Sequence, residues 1–209
     1  TTAFENEKKA LKTVFDGLPL DKFNLGLMLF NEPNGKGGYV RAALRLMDAT
    51  SRPRYSDLVT SLRNASPDDQ GSGRALGLTM AEAYRYFAGL QAINGHLAIK
   101  RDYPNNVVTS KKDDLFAASN KVYKLPGNAF ASSGSSTYVP ATVEGGCQKN
   151  FIIYIGSTTA SGSVTKDNSS SNTEAKNFLA EAAGVAAAAA AVAEIPLSPV
   201  GFEDNIADE

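Results

Sequence analysis

A run of five apolar residues, Phe151-Ile152-Ile153-Tyr154-Ile155, constrains this chain more than any other stretch. Gln148, Lys149 and Asn150 precede it, and Gly156-Ser157-Thr158 stops it. Five residues between breakers is strand length, and apolarity on both faces suits a strand covered on both sides in a parallel sheet. In such sheets ligands bind just past the carboxyl ends of the strands, so the expected binding face begins at Ser157 and Thr158.

The preceding sequence supplies elements for such a sheet. Ala10, Leu11, Val14, Phe15 and Leu18 recur at helical spacing and predict an amphipathic helix ending before Pro19. Phe23, Leu25, Leu27 and Leu29 alternate, with Met28 and Phe30 also apolar, which predicts a strand buried on both faces. A turn over 31–38 leads to 39–47, where Val40, Ala42, Leu44 and Leu46 alternate with Arg41 and Arg45. One polar face predicts an edge strand, paired antiparallel with its predecessor.

A second helix is expected from Pro53, with Tyr55, Leu58, Val59 and Leu62 as its buried stripe, ending at 66–69. A third spans 75–90, with Leu76, Met80, Ala83, Tyr84, Phe87 and Leu90 inward and Glu82 and Arg85 outward. Residues 91–146 carry no strong period and read as a polar insertion, either functional surface or mobile. A Ser/Thr/Asn/Gly loop over 157–173, an Ala-rich helix over about 174–193 and an acidic tail at 202–209 complete one domain.

Composition narrows the function. A net charge of -1 over 209 residues gives no field favouring nucleic acid or an anionic membrane. One Cys and one His exclude an internal disulfide and a Cys/His metal site. No stretch of about 18 apolar residues exists to span a membrane. No nucleophile–base pair, carboxylate dyad or cofactor fingerprint is present, so a non-enzyme without cofactors is expected. His96, between Gly95 and Leu97, reads as solvated rather than as a base. Gly71-Ser72-Gly73-Arg74 beside a helix start has the glycines of an anion site but lacks the Gly-Lys-Ser/Thr of a phosphate loop. It reads first as a flexible joint. Lys100-Arg101 with Tyr103 suits stacking on an extended ligand but falls short of a nucleic-acid footprint.

The order helix, strand, hairpin strand, two helices, long excursion, strand, helix resembles a von Willebrand factor A domain entered after its first strand. Three strings sharpen the likeness: 82–89 (Glu-Ala-Tyr-Arg-Tyr-Phe-Ala-Gly), 100–103 (Lys-Arg-Asp-Tyr) and 147–155 (Cys-Gln-Lys-Asn-Phe-Ile-Ile-Tyr-Ile). They resemble the N-terminal A domain of the PilY/PilC family, and Asn205-Ile206-Ala207-Asp208-Glu209 resembles the string that follows that domain. The family resemblance implies a Rossmann-like α/β three-layer sandwich lacking its first central strand. It also implies an extracellular surface or pilus-associated setting, with pilus or minor pilin subunits, or a host or surface receptor, as partners.

The likeness further implies that Ser72, Arg74, Ser157 and Thr158 lie on the binding face. The slots that hold metal ligands in such domains fall on Ala75 and Ser157, and the Asp-x-Ser-x-Ser loop is missing, so no metal is expected. Cys147 reads equally as an inert buried thiol or as one half of a disulfide to another chain. The absence of an initiating Met predicts a processed or excised piece, and the missing strand is expected to come from outside these residues, from the missing N-terminal part or from a neighbouring polypeptide. Two non-catalytic readings follow. One is an adhesion and assembly module of the type IV pilus. The other is a structural filament subunit that keeps the scaffold without the metal.

Overall fold

The computed structural model describes residues 2–31, 36–63, 69, 75–106, 120–141, 149–155 and 177. Among them the chain is mixed α/β: three helices and one two-stranded antiparallel sheet.

Helix α1, Ala3–Gly17, starts where the Thr2 hydroxyl accepts the Glu5 N–H at 3.3 Å and ends at Leu18, whose extended backbone precedes Pro19. Its Phe15 is buried against Tyr55 of helix α2, Ser51–Ser61, with ring centroids 5.9 Å apart. Polar bonds tie the same two helices: Ser56 donates to Asp16 at 2.6 Å, and Arg52 donates to the Leu18 carbonyl at 2.7 Å. Hydrogen bonds from Lys12 and Ser56 hold the Asp16 pKa below its ordinary value. The stripe expected for α2 is observed, with Tyr55, Leu58, Val59 and Leu62 all buried.

Strand β1, Asn24–Phe30, pairs with strand β2, Gly38–Leu46, as the alternation predicts. The register runs from Asn24 opposite Leu46 to Phe30 opposite Gly38, with irregularities on either side of Leu27. Gly26 alone opposes Ala43 and Leu44, and Arg41 has no counterpart between Leu27 and Met28. Such bulges turn residues out of the ladder and leave their amides to find other acceptors. At Gly26 a Cβ would lie 3.2 Å from the Ala42 carbonyl oxygen, a tight fit against backbone that a glycine avoids.

Burial within the hairpin is the reverse of the expectation. Strand β1 is half-buried to exposed, whereas β2 is buried over Gly38 to Ala43. The supposed solvent face holds Arg41 and Arg45, 0% and 7% exposed. Their charges are tolerated inside because each has polar partners there.

Two apolar clusters share the hairpin. One gathers Phe15, Ala42, Met47, Tyr55, Leu58 and Val59 with α1 and α2, and takes in Val122, Tyr123 and Leu125. The other gathers Val40, Ala43 and Tyr86, from helix α3 (Leu76–Ala88), with Ala92, Ala129, Phe130 and Tyr138. Both clusters therefore draw on the 91–146 region, which the composition marked as surface or mobile. It carries a 3₁₀ turn at Gly95–Leu97 and another at Asn120–Lys124. Even the Ser/Gly stretch 132–137 is tied down: the Ala92 N–H donates to the Ser136 carbonyl at 2.8 Å, and Arg101 donates to the Ser133 carbonyl at 2.5 Å. Phe130 and Tyr138 close it with stacked rings 4.5 Å apart.

Other expectations are corrected. The 151–155 run is in no strand and is exposed, from 39% at Tyr154 to 81% at Ile153. It lies outside the described sheet, so it is not the buried central strand of a parallel sheet. On α3, Glu82 is buried, while Tyr84 and Leu90, expected inside, are exposed. Ala83 is buried as expected, but the buried positions also take in Leu78, Ala81, Glu82 and Tyr86. In α1, Val14 is exposed. The loop 157–173, the tail 202–209 and the Ala-rich helix, apart from helical Asn177, fall outside the described residues.

Candidate functional site

The expected site residues Ser72, Arg74, Ser157 and Thr158, with Cys147, all lie outside the described residues. Ala75 is described and precedes α3 without a side-chain cap. Among the described residues no three His, Cys, Asp or Glu side chains converge as a metal site would require, and no helix is long and apolar enough to cross a membrane. What the described residues do offer is a hairpin with two unlike edges.

The outer edge of β2 is closed by side chains. At the bulge the Ala43 N–H donates to the Asp102 carboxylate at 2.7 Å, and the next amide, Leu44, donates to the Tyr86 hydroxyl at 2.7 Å. Backbone joins in, with the Asp102 N–H on the Val40 carbonyl at 3.1 Å. Asp102 is itself fixed by a forked bond from Arg45, at 2.7 and 3.1 Å, and by the Asn128 amide at 2.6 Å. Arg45 also donates to the Tyr55 hydroxyl at 2.9 Å and the Pro126 carbonyl at 2.8 Å. Tyr55 in turn donates to the Ala43 carbonyl.

The electrostatics follow from this geometry. Burial works to lower the Arg45 pKa, but the Asp102 carboxylate outweighs it and the net movement is upward. Burial pushes the Tyr86 hydroxyl up to about 12, while the bond its oxygen accepts from the Leu44 amide works the other way. The neighbouring pair, Arg41 and Tyr123, is also buried. Arg41 donates to the Tyr123 hydroxyl, which donates onward to the Lys100 carbonyl at 2.6 Å. Lys100 reaches Asp69 at 3.3 Å, and the Arg101 guanidinium lies 4.9 Å from the Tyr103 ring centre. The basic pair whose composition suits stacking on a ligand is thus engaged within the chain.

Glu82 makes a second latch. Its carboxylate accepts the Tyr138 hydroxyl at 2.5 Å and the amides of Ile93 and Asn94 at 3.1 and 3.0 Å. Burial nevertheless raises its pKa. Gly95 is required beside it, because a Cβ there would stand 2.2 Å from the Tyr138 oxygen and 2.7 Å from the Glu82 carboxylate. His96 is half-buried rather than solvated, and its pKa falls because of burial and nearby Arg101.

The outer edge of β1 is different. Strand β2 is its one paired neighbour among the described residues. Phe23, just before it, is exposed, and the Phe30 ring at its far end meets Tyr154 edge-on at 6.4 Å. That contact places Tyr154 of the exposed 151–155 run at the Phe30 end of the strand.

Sequence reasoning missed the buried polar groups. Glu82 could have been found, because it stands four residues from both Leu78 and Tyr86 and so shares their helical stripe. Arg45 and Asp102 are 57 residues apart, and no local spacing links them. In comparisons with known proteins, no family model matches this chain, and neither a curated protein nor a solved structure is significantly similar to it.

Proposed function

We propose that this chain is a non-catalytic adhesion and assembly module of the type IV pilus system, of the von Willebrand factor A-like kind that the PilY/PilC family carries. The observation that carries the reading is how two of the resembling strings meet. The 82–89 string supplies Tyr86 and the 100–103 string supplies Asp102, and these cap successive amides, Leu44 and Ala43, of one bulge. Strings that a family shares as a set are expected to cooperate structurally, and these do. The buried polar groups are engaged with one another in structural roles, which suits a scaffold whose surface does the work. On this reading the protein acts outside the cell, at the surface or on the pilus, with pilin-like subunits or a surface receptor as partners.

The test is genetic and microscopic. Deleting the gene in a bacterium that encodes this chain is expected to reduce surface piliation and adherence, and antibody against the chain is expected to label pili or their tips. Undiminished piliation and adherence, with label confined to the cytoplasm, overturns the reading. Label along the whole filament instead favours the second reading, a structural subunit, for which the supporting observation is that among the described residues β1 pairs with β2 alone.

A further inference from the structure

The Glu82 latch is built around an Asn94-Gly95 peptide link, the sequence at which an asparagine is chemically most labile. The Gly95 backbone nitrogen can attack the side-chain carbonyl carbon of Asn94, and glycine carries no Cβ to hinder the approach. The new C–N bond closes a cyclic imide and ammonia leaves. Water then opens the ring, giving aspartate or giving isoaspartate, whose backbone runs through the former side chain. The fold requires that glycine: a Cβ at residue 95 would stand 2.2 Å from the Tyr138 oxygen and 2.7 Å from a Glu82 oxygen. The same surroundings hold the reacting atoms still. Glu82 accepts the Asn94 N–H at 3.0 Å and also draws on the amide of Gly95, the attacking nitrogen. The Asn94 carbonyl accepts the Leu97 N–H at 2.9 Å and the Asn31 side-chain amide at 3.3 Å. Between these bonds Asn94 sits at φ -131° and ψ -7°. That ψ turns the Gly95 nitrogen toward the nitrogen of Asn94 and away from its Cβ, so the ring cannot close without a large rotation. Water is at hand for the step, since Asn94 is half-buried and Gln91 and Leu97 are exposed.

We propose that Asn94 is a deamidation site gated by the Glu82 latch, and that its conversion makes opening of the latch one-way. While the latch is closed, the attacking nitrogen is held out of reach. A local opening that frees the amides of 93–95 from Glu82 releases it. Neither product fits the closed latch. Aspartate sets a second carboxylate on the segment that Glu82 holds, where burial already disfavours one charge. Isoaspartate lengthens the backbone by one carbon and draws the Gly95 amide off Glu82. Helix α3 then loses a tie to the 91–141 region, because Glu82 belongs to the helix and Ile93, Asn94 and Tyr138 to that region. This inference stands on the latch alone and does not depend on the pilus assignment.

The test follows Asn94 by peptide mapping and mass spectrometry in the purified chain at mildly alkaline pH, with the denatured chain as reference. Conversion is expected to be about tenfold or more slower in the folded chain. Glu82→Gln, whose single acceptor oxygen cannot hold the same donors, should recover most of that difference. Should that variant not fold, Tyr138→Phe, which removes one donor from the latch, takes its place. Either is read against Asp102→Ala, which destabilises the chain without a bond to the latch, with denaturant added until the stabilities match. The latch variant should convert the faster of the two. Asn94→Asp, the product in pure form, should speed hydrogen exchange at the Ile93 and Gly95 amides about tenfold while the amides of α1 and α2 keep their rates. Equal conversion in the folded and denatured chains overturns the proposal. So does equal conversion in the two variants at matched stability, or an Asn94→Asp chain whose latch amides exchange like the parent's.

Discussion

The two edges of one hairpin make an instructive pair. Strand β2 carries two arginines and is the buried strand; β1 is almost wholly apolar and is half-buried to exposed. What separates them is the packing around each. Over β2 lie α3 and the 91–141 region, which bring Tyr86, Asp102, Tyr123 and Asn128 as polar partners. A buried ion pair is a weak source of net stability, but once built it is costly to break, because the survivor is left as an uncompensated charge. The β2 edge is therefore committed, whereas β1 has β2 as its one paired neighbour among the described residues.

The largest test of that contrast is Asp102→Ala. It removes the Arg45 counter-charge and the acceptor for the Ala43 N–H together, so a loss of about 3–5 kcal/mol is expected in chemical denaturation. A loss below about 1 kcal/mol, the range of an exposed ion pair, would mean that the cap does not hold the β2 edge.

Next comes a pair of phenylalanines whose burial opposes their sequence context. Phe130, in the stretch composition marked as polar, is fully buried, while Phe151, in the most apolar run, is 77% exposed. Phe130→Ala is expected to cost about 3–5 kcal/mol, Phe151→Ala no more than about 0.5 kcal/mol. Similar losses at both positions would erase the distinction between a committed side and an exposed one.

Tyr86→Phe sharpens the comparison by one hydrogen bond. It keeps the ring against Tyr138, 5.3 Å away, but strands the Leu44 amide, at an expected cost of about 1–3 kcal/mol. Faster exchange of that amide by NMR, with β1 amides unaffected, would locate the effect at the β2 edge.

The smallest effect concerns pH. Burial raises the Glu82 pKa, so the folded chain holds that proton more tightly than the unfolded chain does. The stability tied to this proton is fully present below the unfolded value of about 4.3 and is lost as pH rises through the higher folded value. Melting midpoints of Glu82→Gln relative to the parent chain should therefore improve as pH rises from about 4 toward neutrality, with a plateau above the folded value. A difference independent of pH would show that burial does not perturb this carboxyl.

Local sequence determined the elements whose forces are local. The α1 and α2 helices and the antiparallel β1–β2 pairing are legible from spacing alone, and the α2 stripe is buried as expected, whereas in α1 Phe15 is the buried residue. Tertiary structure decided which surfaces those elements bury. An arginine at every fourth position of a strand reads as a solvent face unless a carboxylate and hydroxyls arrive from elsewhere. Here Asp102 arrives from 57 residues downstream of Arg45, and Tyr123 from 82 downstream of Arg41. Likewise 151–155 has the composition of a central strand, but a strand exists only when another edge lies along it. Hydrophobicity sets how much there is to gain from burial; only packing sets which residues collect it.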